Sequence, residues 1–213
     1  MGINAKEAGS NTPKHPPLEP GTYPARLIQV LDLGLQLQRP FQGQEKPPAH
    51  EIMLTYECAD AFLLNEDGEE MKDKPRWISE SMPLFSLGAE RAKSTARYNT
   101  LDPTGVKSGD FGALVGTPCN ITIVQNPGKG KNTGRVFENI AAVATMRDKD
   151  AKACPPLVNP TKVFNLDEPN VEVFMSLPKF IQDRIRHNLE WEGSKLKKAL
   201  ESNSVVLDDD IPF

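Results

Sequence analysis

Residues 50–58 alternate cleanly, with Ile52, Leu54, Tyr56 and Cys58 on one side and Glu51, Met53, Thr55 and Glu57 on the other. A sustained period of two is the signature of a half-buried β-strand. It commits this part of the chain to a sheet with one face on a core. The segment before it, 22–33, is apolar at both parities: Leu27, Leu31 and Leu33 on one, Ile28 and Val30 on the other. That pattern predicts a long strand covered on both faces, or one bent from one sheet into another. A third strand is predicted over 76–82, with Trp77, Ile78 and Met82, and Pro83 ends it. The period then changes. Ala89, Ala92 and Ala96 among Glu90, Arg91, Lys93 and Arg97 predict a short polar helix over 87–98, closed by Asp102-Pro103. A helical turn at 111–114 ends at Gly116. Alternation returns at 119–124 for a fourth strand, and 135–144 is read as a fifth.

The order is strand, strand, strand, helix, strand, strand. It predicts a mainly β fold, a five-stranded Greek-key barrel of the OB-fold type with its helix between strands three and four. A generic β-sandwich would not require that helix. Four segments are expected. Residues 1–20 are polar, carry Pro13, Pro16, Pro17 and Pro20, and read as a disordered arm. Residues 21–147 form the barrel. Residues 148–189 hold a Pro-rich linker (148–160) and a helix at 178–189. That helix has Phe180, Ile181, Ile185 and Leu189 on its apolar side and is expected to pack on the barrel. Residues 190–213 read as a flexible tail.

No catalytic constellation is found, so a non-catalytic protein with no cofactor and no metal is expected. The histidines, His15, His50 and His187, have no metal-ligand spacing. Cys58, Cys119 and Cys154 lie far apart with no Cys-x-x-Cys pair, as reduced thiols of a cytosolic protein do. The run 128–134, Gly-Lys-Gly-Lys-Asn-Thr-Gly, has no Gly-Lys-Ser or Gly-Lys-Thr and is followed by a strand pattern, so it is not a phosphate loop. No apolar run reaches membrane length, and the start lacks signal-peptide form. A soluble intracellular protein is expected.

The formal charge of −4 does not exclude nucleic acid, provided one surface is basic. In an OB-fold, the loops joining strands one and two and strands four and five flank the ligand groove. The first holds Arg39, Phe41 and Lys46. The second holds Lys129 and Lys131, with Arg135 just past its turn and no acidic residue from Gln125 to Arg135. Phosphate neutralisation at such cations supplies most sequence-independent affinity, and exposed rings let bases stack. Trp77, beside Arg76 and Ser79, is either a stacking platform or a core ring. Phe137 and Tyr56 read more securely as core. The lysines of the second loop serve either DNA or a soluble hairpin tip.

Two resemblances sharpen this reading. Pro75-Arg76-Trp77-Ile78-Ser79-Glu80, Ala92-Lys93-Ser94, Leu114-Val115-Gly116-Thr117-Pro118-Cys119 and Gly134-Arg135-Val136-Phe137-Glu138-Asn139-Ile140 resemble phage-encoded OB-fold single-stranded DNA-binding proteins, over about residues 20 to 145. The resemblance implies coating of single-stranded DNA in replication or recombination, in the cytoplasm of an infected bacterium. A homo-oligomer is compatible with it. The chain ends Asp208-Asp209-Asp210-Ile211-Pro212-Phe213. An apolar plug behind an anionic run suits a small hydrophobic pocket rimmed by cations, although acidic termini are also common as plain solvated tails. In order and position the string is similar to the C-terminal tip of bacterial single-stranded DNA-binding proteins, which recruits replication and repair enzymes. An OB-fold adaptor that captures such enzymes without binding DNA is the alternative.

Overall fold

A computed structural model describes residues 15–208. Five long strands, β1 (Gly21–Gln36), β2 (Ala49–Leu64), β3 (Glu70–Pro83), β4 (Pro118–Pro127) and β5 (Val136–Thr145), form one antiparallel sheet in the order β3-β2-β1-β4-β5. Helix α1 (Lys93–Leu101) lies between β3 and β4 in sequence. The molecule is mixed α/β, mostly strand.

The sheet is not closed into a barrel by hydrogen bonds, which corrects the expected closed form. Its edge strands β3 and β5 approach each other. They are bridged by side chains: Arg76 Nη2 lies 2.8 Å from Glu138 Oε1. The chain before β1 fills the seam. Pro16 O accepts from Arg76 Nη1 at 2.8 Å, Leu18 N–H donates to Glu138, and Leu18 O accepts from Gln125 Nε2 at 2.8 Å. Leu18 also packs against the main core. Residues 16–18 are therefore tied down, where composition alone reads as an arm.

β1 explains its own two-parity pattern. It pairs with β4 through 21–26 and with β2 through 25–36, with register shifts after Leu27 and Asp32. Leu27 and Val30 belong to the core inside the sheet, with Leu54, Tyr56, Ile78, Ile121 and Ile123. Leu31 and Leu33 belong to a second core outside it, with Met53 of β2. That second core is capped by the C-terminal part of the chain. Residues 148–160 are not all linker, since Asp148–Ala153 is a helix, α2. A short strand β6 (Lys162–Phe164) pairs parallel with β1 at Gln29–Leu31. Helix α3 (Val171–Met175) is capped by the Asn170 side chain, and α4 (Lys179–Arg186) follows Pro178. Ile181 and Ile185 of α4 join Leu31 and Leu33 in this core, but Phe180 and Leu189, expected on the same apolar side, are exposed, and Leu189 lies beyond the end of the helix.

Residues 190–213 are not flexible throughout either. Lys195–Asp208 is a helix, α5, with Leu196 buried in the second core. One close approach fixes the join. Gly34 has φ +75°, and a Cβ there would stand 2.8 Å from the Asn188 side chain. Only glycine meets both demands.

Helix α1 starts later than the alanine pattern predicts, because polar bonds seat it. Its buried residues include Ser94, Thr95, Arg97 and Tyr98. Ser94 Oγ accepts from Phe85 N at 3.1 Å, and Arg97 reaches Glu80 on β3 at 2.8 Å. Glu80 also meets Lys93 Nζ at 2.7 Å and Tyr56 Oη at 3.2 Å.

Candidate nucleic-acid interface

Ion-pair geometry decides which cations are free to meet a phosphate. Arg76 is not. Its side chain is largely buried against Glu138 and the Pro16 carbonyl, so it holds the seam rather than facing solvent. Lys129, Lys131 and Arg135 are exposed, and among the described residues none of them makes an ion pair. They sit on the hairpin between β4 and β5. A helical turn, Gly130–Asn132, shapes that hairpin, with Gly128 N–H donating to Arg135 O at 2.7 Å. A Cβ on Gly128 would stand 2.0 Å from Asn132 O, so the glycine is required for the turn to fold back.

Trp77 is 39% exposed and Phe137 43%. Phe137 therefore departs from its expected place in the core. Alternation explains both rings. Arg76 and Glu138 point into the seam, so Trp77 and Phe137, one residue along on β3 and β5, stand on the outer face. Trp77 is held there by its Nε1–H, which donates to Glu57 Oε2 at 2.9 Å. The arrangement sets two flat rings on the outer face beside the filled seam, with Arg135 of the hairpin two residues before Phe137.

The β1–β2 loop sits apart from these. β1 runs antiparallel to both neighbours, so the loop lies at its C-terminal end and the β4–β5 hairpin beside its N-terminal end. Phe41, 59% exposed, and Gln44 close a tight turn by reciprocal bonds of 2.9 and 3.0 Å. Lys46 Nζ lies 4.9 Å from the centroid of the Phe41 ring. Arg39 is exposed. The structure thus groups Trp77 with the hairpin cations and leaves Arg39, Phe41 and Lys46 at the far end of β1.

The thiols offer no reactive group. Burial pushes Cys58 and Cys119 up to about 12, and Cys154 is raised too. Among the described residues no group of three or more His, Cys, Asp or Glu could hold a metal ion. No helix among them is long and apolar enough to cross a membrane. In the tail, α5 ends at Asp208, and Asp209, Asp210, Ile211, Pro212 and Phe213 lie outside the described residues. No protein-family model matches the chain, and no curated protein matches it.

Proposed function

We propose that this chain coats single-stranded DNA in phage replication or recombination, in the host cytoplasm, and does no chemistry on it. The observation that carries the reading is the nearness of two half-exposed rings, Trp77 and Phe137, to the hairpin cations Lys129, Lys131 and Arg135, which make no ion pair among the described residues. Cations alone would suit any polyanion. Rings beside them suit a strand whose bases are unpaired, since each stacked base contributes about 1–3 kcal/mol whatever its identity. Strand order, the place of α1 and the approach of β3 to β5 support an OB-fold whose last seam is bridged by side chains.

Binding should weaken linearly on a logarithmic salt axis and vary little with base sequence. Titrating mixed-sequence oligonucleotides and their duplexes at several salt concentrations checks this. A flat salt response, or preference for duplex, would remove the reading and leave the protein-only adaptor.

The reading includes the tail as a recruiting tip. Asp208, Asp209 and Asp210 would compete with DNA for the basic surface, and Ile211, Pro212 and Phe213 would fill a partner enzyme's pocket. Deleting 208–213 should tighten DNA binding modestly at low salt, with the gain vanishing at high salt through screening. Phe213→Ala should lose the partner yet bind DNA as before, because it leaves the charges in place. A pull-down from host lysate beside a DNA titration measures both. Retention of every partner by Phe213→Ala would reduce the tail to a solvated terminus.

A further inference from the structure

Next to Trp77, the outer face of β1 and β2 carries a slot outside the interface described above. Arg26 and Glu57 are register partners across the two strands, yet among the described residues no ion pair joins them. Each is turned to the segment 154–159 instead. Glu57 accepts from Val158 N at 2.6 Å and from Asn159 Nδ2 at 2.7 Å, besides Trp77. Arg26 donates to the carbonyls of Pro155 at 2.7 Å, Cys154 at 2.9 Å and Gly116 at 2.8 Å. These bonds pin the segment across the sheet as a strap, and Pro155 and Pro156 restrict its backbone further.

A cavity of about 300 Å³ remains between strap and strands. Its walls are mostly apolar and include the Phe62 ring, Pro155, Pro156 and Leu157. Close packing fills protein interiors, so a cleft of this size held open by anchored backbone has the dimensions of a ligand site. Its charges point to the kind of ligand. Lys72 Nζ lies 4.5 Å from the Phe62 centroid and pairs with Glu70 Oε2 at 2.5 Å, an exposed ion pair of little strength that a phosphate can replace. A guanidinium has five N–H donors, and the three bonds of Arg26 leave donors unspent. Both Glu57 oxygens are already occupied by the strap and Trp77.

We propose that this slot takes one nucleotide. Its base would lie against Phe62 and the strap prolines, with a base carbonyl on Arg26 and the phosphate at Lys72. The assignment rests on the single-stranded DNA reading for its natural source, which is either one base of a bound strand or a free nucleotide. Since Arg26 can only donate, a base whose edge offers carbonyl acceptors, such as thymine, should be preferred to adenine, whose ring-nitrogen acceptors N1 and N7 are flanked by the donor N6 amine.

The test is calorimetric titration of dTMP and of dAMP into the wild-type chain, then dTMP into Phe62→Leu and into Lys72→Ala. Phe62→Leu keeps an apolar side chain but removes the ring. Lys72→Ala alters an exposed position and keeps the experiment decisive if the first variant fails to fold. dTMP should bind about tenfold more tightly than dAMP, and each variant should weaken dTMP by about tenfold. Equal affinity for dTMP and dAMP, or variants that bind like wild type, would overturn the slot. An oligothymidylate that displaces dTMP identifies the strand as the source, and one that binds without displacing it identifies the free nucleotide. Salt-dependent oligonucleotide binding without any dTMP binding sinks the slot and keeps the coating function. dTMP binding without oligonucleotide binding does the reverse.

Discussion

Replacing Lys129, Lys131 and Arg135 together by alanine is expected to lower affinity for single-stranded DNA about a hundredfold at 0.1 M salt, and to reduce the salt slope by about 2. The arithmetic is direct. A cation that neutralises one phosphate of a single strand contributes about 0.7 to the logarithmic slope, and three cations are removed. None of the three has an ion-pair partner among the described residues, so the change breaks no bond that holds the hairpin. The glycine turn remains, and thermal unfolding should be unchanged, as exposed charges contribute little to folding. A filter-binding series over salt, paired with a melting curve, reads both quantities. A triple variant that binds with the wild-type slope would place the contact surface elsewhere, and the exposed Arg39 and Lys46 would be the next cations to remove.

The second large effect is on stability. Glu80→Ala is expected to cost about 3–5 kcal/mol, because it leaves a buried guanidinium without its carboxylate. Glu80 and Arg97 are each 8% exposed. Arg97 binds both carboxylate oxygens, at 2.8 and 3.2 Å, and Lys93 and Tyr56 share the same group. Burial and the Glu80 charge together raise the Tyr56 phenol well above its usual range, so it stays a neutral donor to this cluster. Urea unfolding measures the loss. The double replacement Glu80→Leu with Arg97→Met should be less harmful than Glu80→Ala, since neither charge is then stranded. A single replacement costing under about 1 kcal/mol would mean that the pair is solvated in practice and that α1 is seated by something else.

The strands were legible where one chemical rule acts alone. β2 alternates in residue type because its inner residues enter the main core, but it is not half-buried as expected. On its outer face Met53 joins the second core, and Glu51, Thr55 and Glu57 are buried among polar partners. β1 does not alternate, because Leu31 and Leu33 serve a second core that the C-terminal helices complete. The seam was not legible. Arg76 looks like a free cation beside a tryptophan until Glu138 is placed opposite, and nothing local connects two residues so far apart in sequence. Leu18 was hidden by its prolines, since one apolar residue in a polar stretch carries no period. Phe137 misled for a related reason. With Val136 and Ile140 it reads as core, but Glu138 takes the inward position and turns the ring out. Helix α5 is anchored by Leu196 and Leu200, a single i,i+4 pair in a polar stretch and too short a run for a sustained periodic signal.

The ion pair at the seam has a consequence for how the protein behaves in a crowd. An edge strand with free backbone groups is a template on which another chain can pair. This sheet has two edges, and the fold points them at each other. A guanidinium, a carboxylate and the backbone of 16–18 lie between them. Under the coating role proposed above, many copies would lie along one strand at high local concentration, where covered edges keep them from stacking into fibres. Here a few residues of β3, β5 and the chain before β1 cover both edges at once.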